Sequence, residues 1–181
     1  MHITKLLRLG LIRKSISSHK SPAFIVNKYN EQVRGRSRMV IDNKRLNNST
    51  IDDGYDIPDK SELINSIQES SVFCKFDCKS RFWDINIHPY SIEWAAFTCS
   101  LGHYEWLVMP FGLKNAPSIS QKKMDEVFRK YRKFVCIYIN DVLVYSKSKE
   151  KHVGHLKLVL SEFLKERIII VLKKHSFLEG I

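Results

Sequence analysis

The sequence predicts an α+β fold in which helices pack on one face of a mainly antiparallel sheet. Three observations carry this. Short apolar runs rich in β-branched residues alternate along the chain with stretches of helical periodicity. Residues 134–145, Phe-Val-Cys-Ile-Tyr-Ile-Asn-Asp-Val-Leu-Val-Tyr, read as two buried strands meeting at a tight polar turn at Asn140-Asp141. A separate strand-like run, Val72 to Phe76, closes on another carboxylate, Asp77. With 181 residues, 44% of them apolar, the chain can bury one substantial core, and its length demands no second domain.

The elements follow in order. Ile3, Leu6, Leu7 and Leu11 fall on one face of a short amphipathic helix, and Gly10 offers its stop. Ala23–Val26 and Arg38–Ile41 read as strands around the polar turn of residues 27–32. Asp59 and Glu62 form a capping-box pattern before Leu63, Ile64 and Ile67, so a helix starts near Pro58-Asp59. The strand ending at Asp77 comes next, then strand-like stretches at 84–88, 95–99 and 103–109, divided by Pro89 and by Ser100-Leu101-Gly102. Ala116-Pro117-Ser118 opens a helix with Met124, Val127, Phe128 and Tyr131 on one face. After the Asn140-Asp141 hairpin, a helix places Val153, Leu156, Leu160, Phe163 and Leu164 on its buried side, and Ile168–Leu172 forms a last strand.

Lys and Arg number 30 against 19 Asp and Glu, a formal charge of +11 spread along the chain, which favours polyanionic partners such as nucleic acid. Cys74, Cys78, Cys99 and Cys136 lack paired spacing and sit in apolar runs, as buried thiols of a reducing compartment do. His152 and His155 lie three apart without a third ligand nearby, which reads as a solvated helix face and not a zinc site. No uncharged apolar run reaches the length of a membrane span. The N-terminal residues are too interrupted by charge for a secretory signal, although basic enough to mimic a transit peptide. The compartment is intracellular, with cytoplasm and nucleus both open.

The chemistry rests on carboxylates. A carboxylate on a rigid hairpin can grip a divalent cation, and two strand ends meeting at one metal suggest phosphoryl transfer. Asp77 and Asp141 are the two candidates, and the neighbour of Asp141 is an amide, Asn140.

Several ordered segments carry a family resemblance. They are Ser21-Pro22-Ala23-Phe24; Arg38-Met39-Val40-Ile41-Asp42 with Leu46-Asn47; Phe76-Asp77-Cys78-Lys79-Ser80; Ala96-Phe97-Thr98-Cys99; Gly102-His103-Tyr104-Glu105-Trp106; Pro110-Phe111-Gly112-Leu113-Lys114-Asn115-Ala116-Pro117; and Tyr138-Ile139-Asn140-Asp141. In this order they resemble the reverse transcriptase of plant pararetroviruses, the caulimovirus-like group, with long-terminal-repeat retrotransposon enzymes as close relatives. The resemblance spans nearly the whole chain. It implies a polymerase palm plus partial fingers, with residues 1–70 mostly fingers and 71–181 mostly palm. The family's thumb and ribonuclease H regions would lie beyond Ile181.

The resemblance also implies a mechanism. Two magnesium ions, with manganese as a substitute, would hold a primer hydroxyl and a deoxynucleoside triphosphate in line on an RNA or DNA template-primer. Asp77, Asp141 and the carbonyl of Cys78 match the metal ligands. Arg38 matches a residue lying along the triphosphate. Phe82 matches a steric gate against a ribose 2′-hydroxyl, Phe111 and Gly112 shape the nucleotide pocket, Gln121 faces the template, and Lys174 matches a basic residue near the triphosphate.

Four positions depart from the family pattern. Asn140 replaces a metal-binding aspartate, Arg81 a glycine beside the nucleotide, Asp84 a glutamine, and Ser120 a phenylalanine. A unit charge pair about 4 Å apart is worth on the order of 4 kcal/mol at intermediate dielectric, so losing one carboxylate implies about a thousandfold loss of rate. Two functions follow: a reverse transcriptase weakened at Asn140 and Arg81, or a catalytically inert nucleic-acid-binding remnant of an integrated polyprotein. A third reading, an unrelated α+β RNA-binding module, requires exposed aromatics on a sheet face. Phe73, Phe76 and Tyr138 read instead as strand-core residues.

Overall fold

The computed structural model describes residues 3–26, 38–78, 81–171 and 177–179, with backbone alone at 38, 81 and 177–179. The elements in chain order are α1 (Ile3–Arg8), β1 (Ile12–Lys14), β2 (Ser21–Val26), β3 (Arg38–Ile41), α2 (Lys44–Ser49), α3 (Lys60–Ile67), β4 (Val72–Asp77), β5 (Ala96–Cys99), β6 (Gly102–Trp106), α4 (Ala116–Phe128), β7 (Val135–Tyr138), β8 (Asp141–Ser146), α5 (Lys149–Lys165) and β9 (Phe177–Glu179), with short 3-10 turns between. They form the expected mixed α+β architecture. The chain makes two compact units, Met1–Asp52 with Phe82–Ala116, and Asp53–Arg81 with Pro117–Ile181.

The first unit holds a five-stranded sheet ordered β1-β6-β5-β2-β3. Every pairing is antiparallel except β2 with β5. Ile3 and Leu6 of α1 drop into a core with Ile12, Phe97, Tyr104, Trp106 and Val108. Leu7, expected on that face, is 37% exposed. The helix is too short for a wide apolar face, and it ends at Gly10, whose φ of +66° suits a residue without Cβ. A charged group is also buried here. Glu105 accepts from Arg13 Nε and Ser15 Oγ, both at 2.6 Å. Burial pushes its carboxyl up, but the Ser15 and Arg13 hydrogen bonds outweigh this and hold it below the usual carboxylate range.

The second unit holds the antiparallel sheet β7-β8-β4-β9, which carries the candidate chemistry. Cys74, Phe76, Val135, Ile137, Val142 and Val144 fill one face and pack against Met124 and Phe128 of α4 and Val159 and Phe163 of α5. Period-2 strands and period-3.6 helices thus share one core. All four cysteines are free thiols; Cys74 and Cys78 are buried as expected, while Cys99 and Cys136 are half-buried. Among the described residues, no helix is long and apolar enough to cross a membrane.

Several expected elements differ. Residues 84–88 alternate as a strand should, with Ile85 and Ile87 half-buried between exposed neighbours. Yet they make only one bridge, Asn86 with Val108, after a 3-10 turn at Arg81–Asp84. The stretch pairs through Ile87 N–H to Leu107 O and Met109 N–H to Ile85 O, and Pro89 stops it there. The run from Ile168 likewise reduces to one bridge, Ile170 with Cys78; Leu172 lies outside the described residues, as does the turn at 27–32. Three elements had no forecast, β1, α2 and β9. α3 starts where expected, but its N-cap Asp59 makes no side-chain cap bond and none of its residues is buried.

The buried side of α5 is the largest difference. Val153, Leu160 and Leu164 are 54%, 40% and 81% exposed, whereas His152 and Glu162 are buried with Val159 and Phe163. Polar residues occupy that face because each finds partners there. Ser146 Oγ lies 2.8 Å from Nδ1 of both His152 and His155, so these histidines do not form a solvated face. Glu162 meets Lys130 at 2.6 Å, Lys165 at 3.3 Å and the Tyr131 hydroxyl at 3.2 Å.

Candidate active site

Register brings the two predicted carboxylates together. β4 and β8 pair so that Asp77 stands directly opposite Asp141, with Phe76 opposite Val142 and Lys75 opposite Leu143. The same Asp141 is opposite Tyr138 on β7. Because side chains alternate across a strand, Phe76 and Val142 enter the core while Lys75, Asp77 and Asp141 leave by the other face. Directly opposed residues have Cβ atoms about 5 Å apart, and like charges so placed repel unless a cation lies between. Tyr138 is half-buried on that open face, with the Lys60 ammonium 5.7 Å from its ring centroid, so it is not the core residue expected. Phe73 is also half-buried, and of the three aromatics only Phe76 is core.

The turn is held from below. Its two loop residues are Ile139 and Asn140, one step earlier than the Asn140-Asp141 turn expected, since Asp141 is already paired in the ladder. Ile139 has φ of +57°, a costly conformation for a β-branched residue. Its N–H donates to Gln121 Oε1 at 2.6 Å, and Gln121 Nε2 donates to Ile137 O and to both Asp125 oxygens at 3.2 Å. Tyr55 completes the network, its hydroxyl 2.7 Å from Asp125 Oδ2; that hydrogen bond pushes the phenol above its ordinary pKa, with burial adding. Gln121 is 0% exposed, so the side chain expected to face the template is occupied in supporting the hairpin.

Asn140 is anchored at both ends of its amide unit. Its main-chain oxygen accepts from Cys78 N–H at 2.9 Å, which extends the ladder past Asp77. Its side-chain Oδ1 accepts from Ser120 Oγ at 3.1 Å, and Ser120 is 1% exposed. Two of the departures from the family pattern therefore meet in one hydrogen bond. The buried Ser120 hydroxyl is thereby satisfied.

The donor set has the chemistry of a hard-cation site: two opposed carboxylates and main-chain carbonyls at strand ends, all oxygen. Magnesium takes one or two carboxylates and completes its shell with water or phosphate, and Asp77 with Asp141 fits one such ion. A second ion would fall to the neutral Asn140 oxygen. Among the described residues no group of three or more His, Cys, Asp or Glu could hold a metal. Asp141 is also paired with a cation already, Lys75 Nζ at 2.7 Å from Oδ2.

Of the remaining candidates, Arg38, Phe82, Phe111 and Gly112 lie in the first unit. Phe82 is 8% exposed and meets Phe111 edge-on, ring centroids 5.1 Å apart at 80°, while Phe111 is 55% exposed. Trp83 adds a second edge contact to Phe111 at 6.0 Å. Gly112 has φ of +89°, which a side chain would strain. Asn47 clamps this loop, donating from Nδ2 to Gly112 O at 2.8 Å and accepting at Oδ1 from Lys114 N–H at 2.9 Å. Arg38 opens β3 opposite Val26. Arg81 begins the 3-10 turn that carries Phe82. Lys174 lies outside the described residues.

The structure thus gathers Asp77, Cys78, Gln121, Asn140 and Asp141 at one hairpin, and Phe82, Phe111 and Gly112 around one loop. Sequence reasoning assigned no role to Lys75, Asp125 or Asn47. Lys75 had a readable signal, a lone charge in an apolar strand two residues before Asp77. Asp125 had a weaker one, its spacing of four from Gln121 on a helix.

Comparison with known proteins bears on the family and the fold. The family described as reverse transcriptase (RNA-dependent DNA polymerase) matches residues 25–180. The enzymatic polyprotein of Cauliflower mosaic virus (strain CM-1841) is 47% identical over 172 residues, covering 95% of this chain and 25% of that protein. The enzymatic polyprotein of Figwort mosaic virus (strain DxS) is 43% identical over 172 residues, covering 95% of this chain and 26% of that protein. The chain therefore spans about a quarter of the length of these relatives. Among solved structures, a foamy viral protease-reverse transcriptase in complex with RNA/DNA hybrid superposes with a TM-score of 0.86 at 22% identity, covering 98% of this chain and 23% of that one. The native Prototype Foamy Virus protease-reverse transcriptase gives 0.84 at 26% identity, covering 97% and 23%. With most of its length matched by the family and nearly half of its aligned residues shared with caulimovirus polyproteins, this chain belongs to the reverse transcriptase family.

Proposed function

We propose that the chain is the fingers and palm portion of an RNA-directed DNA polymerase whose nucleotidyl transfer is weakened by Asn140 and Arg81. Residues 1–70 supply mostly fingers and 71–181 mostly palm. The observation that carries the reading is the cross-strand pairing of Asp77 with Asp141 at the end of β4 and β8. Relatives at 47% identity are enzymatic polyproteins, and a structure of the same fold holds an RNA/DNA hybrid; both support a template-primer as the partner. The formal charge of +11 suits that polyanion.

Asp77 and Asp141, with the Cys78 carbonyl, would hold Mg2+ or Mn2+, which neutralises charge on the transferring phosphoryl group and orients it. Phe82, wedged edge-on against Phe111, would exclude a ribose 2′-hydroxyl and so select deoxynucleotides. Phe111 and Gly112 would bound the nucleotide, while Arg38 and Lys174 would neutralise its triphosphate. Gln121 would act on the template through the hairpin it supports. Asn140 would contribute a neutral oxygen already engaged by Ser120, which supports weak binding of a second ion.

The second reading is a nucleic-acid-binding remnant that holds template-primer without extending it, and the same Ser120–Asn140 contact favours it. Primer extension in magnesium separates the two. The unaltered chain should extend weakly and an Asn140→Asp, Arg81→Gly double variant about a thousandfold faster. No extension by either, with duplex binding intact, overturns Asn140 and Arg81 as the main cause of weakness and favours the binding reading. No duplex binding at low salt removes both readings.

A further inference from the structure

Lys75 is the one charged side chain of β4 besides Asp77, and the mechanism above leaves it without a task. It precedes Asp77 by two residues, so both leave the same face of the strand, and it lies diagonal to Asp141 across the ladder. Its Nζ is 2.7 Å from Asp141 Oδ2, with side chains 47% and 38% exposed. An ammonium hydrogen-bonded to that oxygen takes up one of its lone pairs and weakens it as a donor to a metal ion. It also places a positive charge within a few ångströms of any cation shared by Asp77 and Asp141.

We propose that Lys75 is an internal counter-cation of the carboxylate pair, competing with a divalent ion for Asp141 and holding the centre in a low-affinity state. The inference rests on the reading of Asp77 and Asp141 as cation ligands, and adds a residue that sets how tightly they bind. With Asn140 neutral, the four side chains Lys75, Asp77, Asn140 and Asp141 leave a formal charge of −1 to attract a dication. Asn140 removes one negative charge and Lys75 cancels another, so the two residues act in the same direction on the same site. The lysine stem is flexible and half-exposed, so the ion pair opens readily and the competition is reversible.

Direct titration of the full chain with Mn2+, followed by electron paramagnetic resonance at low ionic strength, tests this without reference to polymerase activity. Lys75→Met and Lys75→Gln should each tighten Mn2+ binding about three- to tenfold, as removal of one nearby charge predicts. Lys75→Arg, which keeps the cation, should stay within about twofold of the parent. The gain should shrink in molar salt, where the Debye length falls to about 3 Å. Asp77→Asn and Asp141→Asn should weaken binding more than about tenfold. Unchanged affinity in both neutral Lys75 variants, with binding lost in the Asp variants, overturns the role of Lys75 and leaves the metal reading standing. Affinity insensitive to Asp77→Asn and Asp141→Asn overturns both. The thermal transitions of the Lys75 variants confirm that folding is intact, since the residue is half-exposed.

Discussion

Two hairpins in this chain have loops of the same length and opposite designs. β5 and β6 join through Ser100-Leu101, flanked by the pair Cys99 and Gly102; β7 and β8 join through Ile139-Asn140, flanked by Tyr138 and Asp141. In the first, the unusual backbone falls on a glycine, φ +131° at Gly102, and the loop needs little help beyond the Tyr104 hydroxyl donating to Leu101 O at 3.0 Å. In the second it falls on Ile139, φ +57°, and a fully buried glutamine, an aspartate and a tyrosine are assembled to hold it. The first turn is a local solution. The second is imposed by its surroundings, and it is the turn that presents the candidate carboxylate, where strained backbone is expected to concentrate.

Four substitutions can break or sharpen that contrast, and a titration with a fifth, His152→Leu, probes the opposite end of β8. Gln121→Leu should destabilise the second unit by about 2–4 kcal/mol in chemical denaturation, because it removes the side-chain partner of the Ile139 N–H and the Ile137 carbonyl beneath the turn and one of the donors to Asp125. At the other hairpin Tyr104→Phe should cost no more than about 1 kcal/mol. Equal losses at the two would show that the support is not specific to the strained turn.

Gly102→Ala should cost about 1–2 kcal/mol through conformation alone, since the nearest atoms to an added Cβ are at an ordinary 3.6 Å. Ile139→Gly reverses the sign, with an expected gain of about 0.5–1 kcal/mol as left-handed strain is relieved. A loss there would mean that Ile139 packing outweighs its backbone cost.

The far end of β8 responds to pH. His152 is buried, its Nε2 has no hydrogen-bond partner among the described residues, and desolvation, with the neighbouring His155 adding, pushes its pKa below 6.5. The unfolded chain therefore binds this proton more readily than the folded one. Stability contributed by neutral His152 is complete above about pH 6.5 and is lost as pH falls below it. Glu162 adds a second acid step. Its carboxyl is held below 4.5 by the Lys130 hydrogen bond against burial, with Lys165 assisting, so its contribution is present above 4.5 and lost beneath it. Unfolding free energy measured from pH 8 to 4 should show the first step in the parent and not in His152→Leu.

Strand and helix periodicities were legible in β4, β7, β8 and α4, because each buries an apolar face with a simple repeat, whereas β2 and β3 were legible as short β-branched runs although Phe24, Ile25, Val26 and Val40 stay exposed. Residues 84–88 misled because alternation reports which side chains are buried, not how many rungs a ladder has. The face of α5 misled for a different reason. Apolarity alone pointed to Val153, Leu160 and Leu164, while the structure buries His152 and Glu162, whose partners Ser146, Lys130 and Tyr131 lie elsewhere in the chain.

The sequence by itself determined the fold class, the family, and that Asp77 ends one strand while Asn140 and Asp141 fall at the hairpin, because motifs and periodicity are local properties of the chain. Tertiary structure alone decided that Asp77 faces Asp141, that Gln121 is buried beneath Ile139, that Ser120 holds Asn140, and that Lys75 reaches Asp141. Each of these is a contact between residues 18 to 66 positions apart, made at least in part through hydrogen bonds or charge, which act over a few ångströms in space and leave no periodic trace in sequence.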